Sequence, residues 1–339
     1  MSAFRQGRVV GPSEWGETAV PDIYFSYGYH VASGVLEPDF LDAALVEWSD
    51  GQGVIRLPLL LRRIQGSEYL DATSAYDYGG PWIEGDPDMG GFLSYLDEWA
   101  RENSVVCTFL RFHPLLKNAE RVEPFIPVRK VGVTFGWDLA EKKDMIAGMQ
   151  RGHRYRYRQA VREGLESRIT VHPADLDTFR DLYTQTMKRI SAHDFFYFPD
   201  DYWAKLQEHV GENLVLTEAI YHDEVVASVL FMAGENYLHS HFSGTTDAGR
   251  KIGASVFCNV ALALWAQERG FSVQHLGGGP GGENSGLLTW KHAFDPEAPL
   301  NDFYVGGIVH NEKAYAALSA DSMDKDFFPP WRARKSYGD

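Results

Sequence analysis

The sequence predicts an α/β (α+β) chain built as two similar halves, each a mixed twisted sheet flanked by helices. Three observations lead there. The chain has 339 residues with 44% hydrophobic content, long for one domain and comfortable for two. Segments of strand and helix character alternate along most of it. The order strand, helix, strand, helix occurs twice, which points to a diverged internal duplication. The boundary is expected beside a basic helix between residues 140 and 170, giving halves of 1–150 and 151–339.

Composition narrows the function. The 23% charged and 14% aromatic fractions are those of a globular protein. No apolar run approaches the roughly 18 residues that span a bilayer, and the segment MSAFRQGRVVGPSEWGE has no apolar signal core, so a cytoplasmic protein is expected. Cys107 and Cys258 lie in apolar runs and read as buried thiols. The formal net charge of −15 argues against a broad nucleic-acid-coating surface. Residues 142–168 nevertheless hold eight Lys/Arg against Asp144, Glu163 and Glu166, a local charge of +5. A polyanion would touch the protein there.

Taken in order, the first forty residues show aromatic clusters and turn signals but little regular structure. GVIRLPLLLRRI (53–64) and YLDATS read as strands, and SAYDYGGPW as a turn. In GGFLSYLDEWAREN, Phe92, Leu93, Leu96 and Trp99 recur at helical spacing. SVVCTFLRFHP and VRKVGVTFGWDL are strands. MIAGMQRGHRYRYRQAVREGL is one continuous helix on which Arg151, Arg154, Arg158 and Arg162 share a face. ITVHPAD is a short strand and DLDTFRDLYTQTMKRI a helix. Two strands joined at His222-Asp223 follow, then NYLHSHFSGTT, a helix from Ile252 to about Arg269, the strand VQHLGGG, and a helix from Ser285 to Phe294.

The chemistry concentrates after residue 236. Arg250, Gly253 and Ser255 approximate an R-x-x-G-x-G/A loop at a helix start, where backbone N–H groups and the helix dipole favour phosphate. The strand VQHLGGG leads through further glycines to a helix bearing Trp290, Lys291 and Phe294. Upstream, SAYDYGGPWIE carries Tyr78 and Gly80, with Glu84 just beyond the proline; FLRFHP ends a strand; and FRDLYTQTMKRIS carries Arg189. His239 and His241 alternate on a strand, with His275 on a candidate neighbour. Three imidazoles suit zinc, but no further ligand completes the pattern, so no metal is expected; the histidines either line a cleft or, the favoured reading, pack with their rings satisfied.

These motifs, in this order over residues 50–300, resemble the FemABX-type (FemAB-like) aminoacyltransferases of the GNAT superfamily. The resemblance implies tandem GNAT-like domains, the N-terminal one holding the acceptor and the C-terminal one the donor and the catalysis. It further implies amide formation between an aminoacyl group from charged tRNA and an amine. It places Lys291, Trp290 and Glu84 at the reacting centre, and Arg189, Tyr78, Gly80, His239, His241, Arg250 and Gly253 around substrate. Arg151, Arg154, Arg158 and Arg162 would contact tRNA. Aminoacyl-tRNA or acyl-CoA enters as co-substrate, and no other cofactor is expected.

The sequence departs from the family in three places. DIYFSYGYHVASG has no Lys or Arg for a nucleotide diphosphate, Trp stands before Lys291 where Phe is usual, and Asp295 replaces a glycine. A small-molecule or peptide acceptor fits better than a nucleotide-linked one, in a monomer or dimer acting away from the membrane. Two other readings stay open: an acyl-CoA-dependent N-acyltransferase, and a non-catalytic binding module on the GNAT fold.

Overall fold

The computed structural model describes residues 6–140, 144–279, 285–320, 322, 324 and 326–333. The chain divides into two compact units, Met1–Val131 with Phe303–Asp339, and Gly132–Asp302. No helix among the described residues is long and apolar enough to cross a membrane.

The first unit opens with β1 (Gln6–Val10), α1 (Pro12–Glu17) and α2 (Tyr27–Gly34), more regular structure than the aromatic clusters suggest. Ser26 starts α2 by accepting from the Tyr29 amide. There follow β2 (Phe40–Ser49), β3 (Gly53–Arg63), β4 (Leu70–Thr73), β5 (Trp82–Gly85), α3 (Met89–Glu102), β6 (Val105–Arg111) and α4 (Asn118–Val122). Strand β7 (Val128–Asp138) leads into the second unit. That unit holds α5 (Met145–Gly148), α6 (Arg151–Arg162), β8 (Glu166–Val171), α7 (Asp177–Arg189), α8 (Asp200–Val210), β9 (Leu214–Tyr221), β10 (Glu224–Ala233), β11 (Tyr237–Thr245), α9 (Asp247–Ile252), α10 (Ala254–Glu268), β12 (Val273–Gly277) and α11 (Gly286–His292). The chain then returns through β13 (Asn301–Val309) and α12 (Glu312–Ser319) to the first.

Both units repeat one topology. In the first, β1 to β4 are antiparallel neighbours, α3 crosses over, and β6 pairs parallel to β4. In the second, β8 to β11 are antiparallel, α10 crosses over, and β12 pairs parallel to β11. The strand that completes each parallel pair comes from outside its unit's run of sequence. β13 lies antiparallel to β6 (Val305↔Arg111) and β7 antiparallel to β12 (Gln274↔Trp137). This exchange is why the division by contacts differs from the halves 1–150 and 151–339: residues after 303 satisfy their backbone on β6.

Each sheet is covered by the helix its pattern demands. Phe92, Leu96 and Trp99 of α3 pack on Val46, Ile55, Leu57 and Leu59, and burying each contributes roughly 1.5–3 kcal/mol. The α10 helix is buried along its length from Ala254 to Ala266. It carries Cys258, whose thiol burial pushes far above its ordinary pKa; Cys107 behaves likewise, so both are inert apolar residues.

The expected single basic helix is two. Asp144 caps α5 by accepting from the Ile146 and Ala147 amides, and the backbone is extended at Met149 and Gln150 before α6 begins. The break is fixed by Met149, which is fully buried, and by the Gln150 amide donating to Ala293 O at 2.9 Å.

Candidate active site

Two features of the second unit meet at the carboxyl ends of β11 and β12, where ligands gather in open α/β sheets. Among the described residues the strands pair only from Tyr237↔Val273 to His239↔His275, although β11 runs on to Thr245, so the described ladder stops at His239.

On the β11 side, the turn into α9 and α10 is built by close backbone approaches. Thr246 caps α9 by accepting from the Gly249 amide at 2.9 Å. A Cβ at Gly249 would stand 2.3 Å from Val226 O. Gly253 ends α9 and starts α10 at φ +82°, and a Cβ there would stand 2.6 Å from Arg156 O. No side chain caps α10. Arg189 reaches the same turn: Nη1 donates to Thr245 O at 2.7 Å, and Nε lies 3.7 Å from Asp247. Arg250 is exposed and 3.6 Å from Asp247.

On the β12 side, Lys291 Nζ donates to Gly278 O at 2.5 Å, just past the strand end. The glycines here are steric necessities, since a Cβ at Gly278 would meet Val133 O at 2.8 Å and one at Gly279 would meet Ser285 Oγ at 2.5 Å. The remainder of the expected glycine-rich loop, residues 280–284, lies outside the described residues. Ser285 caps α11 through the Leu288 amide. Trp290 packs edge-on to Phe294 (5.2 Å) and against His153 of α6 (5.3 Å).

The histidines separate. A bulge shifts the β10–β11 register between Leu230↔Phe242 and Phe231↔Ser240, leaving His241 as the extra residue and breaking its alternation with His239. His239 Nδ1 meets His275 Nδ1 at 3.0 Å in a buried pair, so one ring donates the proton the other accepts. His241 Nε2 instead bonds Tyr202 OH of α8 at 2.5 Å.

Helix α6 is clamped to the turn: Arg156 Nη1 and Gln159 Nε2 donate to Lys251 O at 3.0 and 3.2 Å. Arg151, Tyr155, Arg158 and Arg162 form an exposed stripe at spacings of four, three and four. Arg154 points elsewhere, donating to Ala147 O and Met149 O, the open carbonyls at the end of α5.

In the first unit, the Gly79–Gly80–Pro81 turn is gripped by Asn118, whose Nδ2 donates to Gly79 O (2.8 Å) and Pro81 O (3.0 Å). Gly80 has φ +81°. Tyr78 is buried, edge-on to Tyr24 (5.1 Å) and near His113 (5.7 Å), and burial drives both phenols well above their ordinary pKa. His113 Nε2 lies 3.6 Å from Asp22, both fully buried. Glu84 sits apart, exposed on β5 and 3.3 Å from Arg56, whose guanidinium covers Trp82.

Residues 150–292 match the family described as "Acetyltransferase (GNAT) domain". They make the chain an acyltransferase. FemX superposes with a TM-score of 0.68 at 12% identity, covering 92% of this chain and 99% of its own. L-PGS from Bacillus licheniformis gives 0.54 at 16%, covering 85% and 89%. The C-terminal domain (DUF2156) of a candidate lysylphosphatidylglycerol synthetase from Agrobacterium fabrum gives 0.52 at 17%, covering 83% and 88%. The chain has a FemABX-like GNAT fold. Among curated proteins, none matches it in sequence.

Within this GNAT fold, Lys291, Trp290, His239, Arg250, Gly253, Arg189 and three of the four α6 arginines belong to the second unit's turn, strand ends and basic helix. Arg154 bonds carbonyls at the end of α5, and Glu84, in the first unit, pairs with Arg56. Sequence reading missed the buried Asp22–His113 pair, because Asp22 lies in a segment read as irregular. It also missed Tyr202, whose bond to His241 depends on the bulge.

Proposed function

We propose that this acyltransferase moves an aminoacyl group from charged tRNA to an amine on a small molecule or peptide. The observation that carries the reading is the clamp between α6 and the phosphate-type turn. Arg156 and Gln159 bind Lys251 O, so the Arg151–Tyr155–Arg158–Arg162 stripe is held in fixed register with the start of α10. A basic stripe with an aromatic residue suits the acceptor arm of an RNA, which extends beyond any one diphosphate. Likeness to a fold shared with a candidate lysylphosphatidylglycerol synthetase, named for an aminoacylated product, supports the donor class.

In this reading the amine nitrogen attacks the ester carbonyl, a C–N bond forms, and the C–O bond to the tRNA ribose breaks. The amine proton passes to solvent or to the departing ribose oxygen. Lys291, held by Gly278 O, supplies positive charge where the carbonyl oxygen gains negative charge. Gly253 and the first turn of α10 take a donor phosphate. The first unit, through the Tyr78–Gly80 turn, holds the acceptor.

A second reading has one observation in its favour: Gly253 gives α10 no side-chain cap, so no side-chain oxygen competes with the diphosphate of an acyl-CoA for its first amides. An assay with charged tRNA, with and without ribonuclease, decides between them. Ribonuclease-sensitive transfer is expected; turnover with acyl-CoA alone would overturn the tRNA reading.

A further inference from the structure

Arg111 ends β6 opposite Val305 of β13. Its Nη1 donates to Thr73 Oγ1 (3.2 Å) and Ser74 O (3.1 Å), and the guanidinium lies 5.1 Å from the Phe109 ring centroid. The other described arginines of this unit that are not exposed are matched by carboxylates: Arg62 by Glu37 and Asp71, Arg56 by Glu47 and Glu84, Arg332 by Asp71. Arg111 is half-buried and, among the described residues, has no carboxylate at ion-pair distance and no hydrogen bond from Nε or Nη2. Burial works against its charge, holding its pKa below the usual arginine value despite the fields of Glu37 and Asp77.

A half-buried guanidinium with no counter-ion, whose free Nε and Nη2 are not among the polar atoms shut off from solvent, is open to a ligand that supplies one. The two unused donors lie along one edge of the guanidinium, the fork that meets both oxygens of a planar carboxylate. A phosphate dianion suits the place less well, because it would bring a second negative charge into a spot that already feels Glu37 and Asp77 as well as Arg62. Arg111 also adjoins the turn assigned above to the acceptor. Its amide donates to Ser74 Oγ, and the next residue, Phe112, bridges in parallel to Gly79.

We propose that Arg111 is a carboxylate-binding residue, and that the amine acceptor is itself an acid, such as an amino acid or a peptide with a free C-terminus. This rests on the reading of the first unit as the acceptor side.

The test is direct binding to the full chain, with no donor present, by calorimetry and saturation-transfer NMR. The probes are alanyl-alanine, its C-terminal amide and inorganic phosphate. The wild type is expected to bind the acid at least tenfold more tightly than the amide or phosphate. Arg111→Met should bring acid and amide within threefold. Arg111→Lys, a point charge without the fork, should fall between and covers the case where the methionine variant fails to fold. Equal binding of acid and amide, tighter binding of phosphate, no binding of the acid, or a preference unchanged by both substitutions would overturn the proposal. Failure of tRNA-dependent transfer would leave this result standing. Transfer to amide acceptors as fast as to acids would keep the donor reading and sink this one.

Discussion

Lys291 Nζ and Gly278 O are joined across 2.5 Å, so the ammonium is tied to the backbone just past the end of the described β11–β12 ladder. The bond joins α11 to the strand end and fixes a charge beside the place where a parallel sheet receives its ligand. Lys291→Met should lower kcat/KM for transfer at least tenfold, about 1.4 kcal/mol of barrier, with an unchanged circular dichroism spectrum. A loss within threefold would remove Lys291 from the reacting centre.

The α6 arginines should divide into two classes. Arg158→Glu with Arg162→Glu removes two exposed cations and is expected to weaken tRNA binding and to flatten the slope of log K against log salt by about two. Arg154→Glu should act on stability instead, because it unbonds the carbonyls of Ala147 and Met149 and sets a like partial charge against them. Filter binding across a salt series and a thermal melt separate the two. An unchanged slope in the double variant would rule the stripe out as the contact.

Much of this was legible in the sequence, and the illegible parts have specific causes. The strand–helix–strand units were read because their helices are amphipathic or their strands β-branched. Strand β2 was not, since Ala44, Leu45 and Val46 are all buried and the period-2 alternation is lost. Strand β13 was hidden by Gly306 and Gly307, which the sheet needs: a Cβ at Gly307 would stand 2.8 Å from the Phe328 ring. Gly253 and Lys291 could be named because their neighbours in sequence are also their neighbours in space. The separation of His239 from His241 could not, because it depends on a bulge at His241 that only the pairing of β11 with β10 reveals.

Gly253→Ala tests whether the turn depends on that close approach. Alanine is disfavoured at φ +82°, and its methyl would press on Arg156 O, so α6 and the start of α10 must move apart. A stability loss of about 1–3 kcal/mol is expected in urea unfolding, together with weaker tRNA binding even though no charge has changed. Stability and binding both equal to wild type would mean that the register between the two helices carries no function.

Acid should destabilise the first unit through His30. This ring is 1% exposed, its Nδ1–H donates to Ser26 O at 2.9 Å, and burial lowers its pKa from 6.5 to about 4. A depressed histidine pKa means that the unfolded chain takes up a proton the folded chain refuses. Stability is therefore fully present above 6.5 and is lost as the pH falls from 6.5 toward 4. The loss between pH 7 and 4.5 from this one group is about 2 kcal/mol. His153 and His310 are lowered by burial too and act in the same direction. His30→Gln cannot titrate, so its unfolding free energy should fall about 2 kcal/mol less than the wild type's over that interval. Parallel pH profiles for the two proteins in urea titrations would show that His30 is protonated in the folded state.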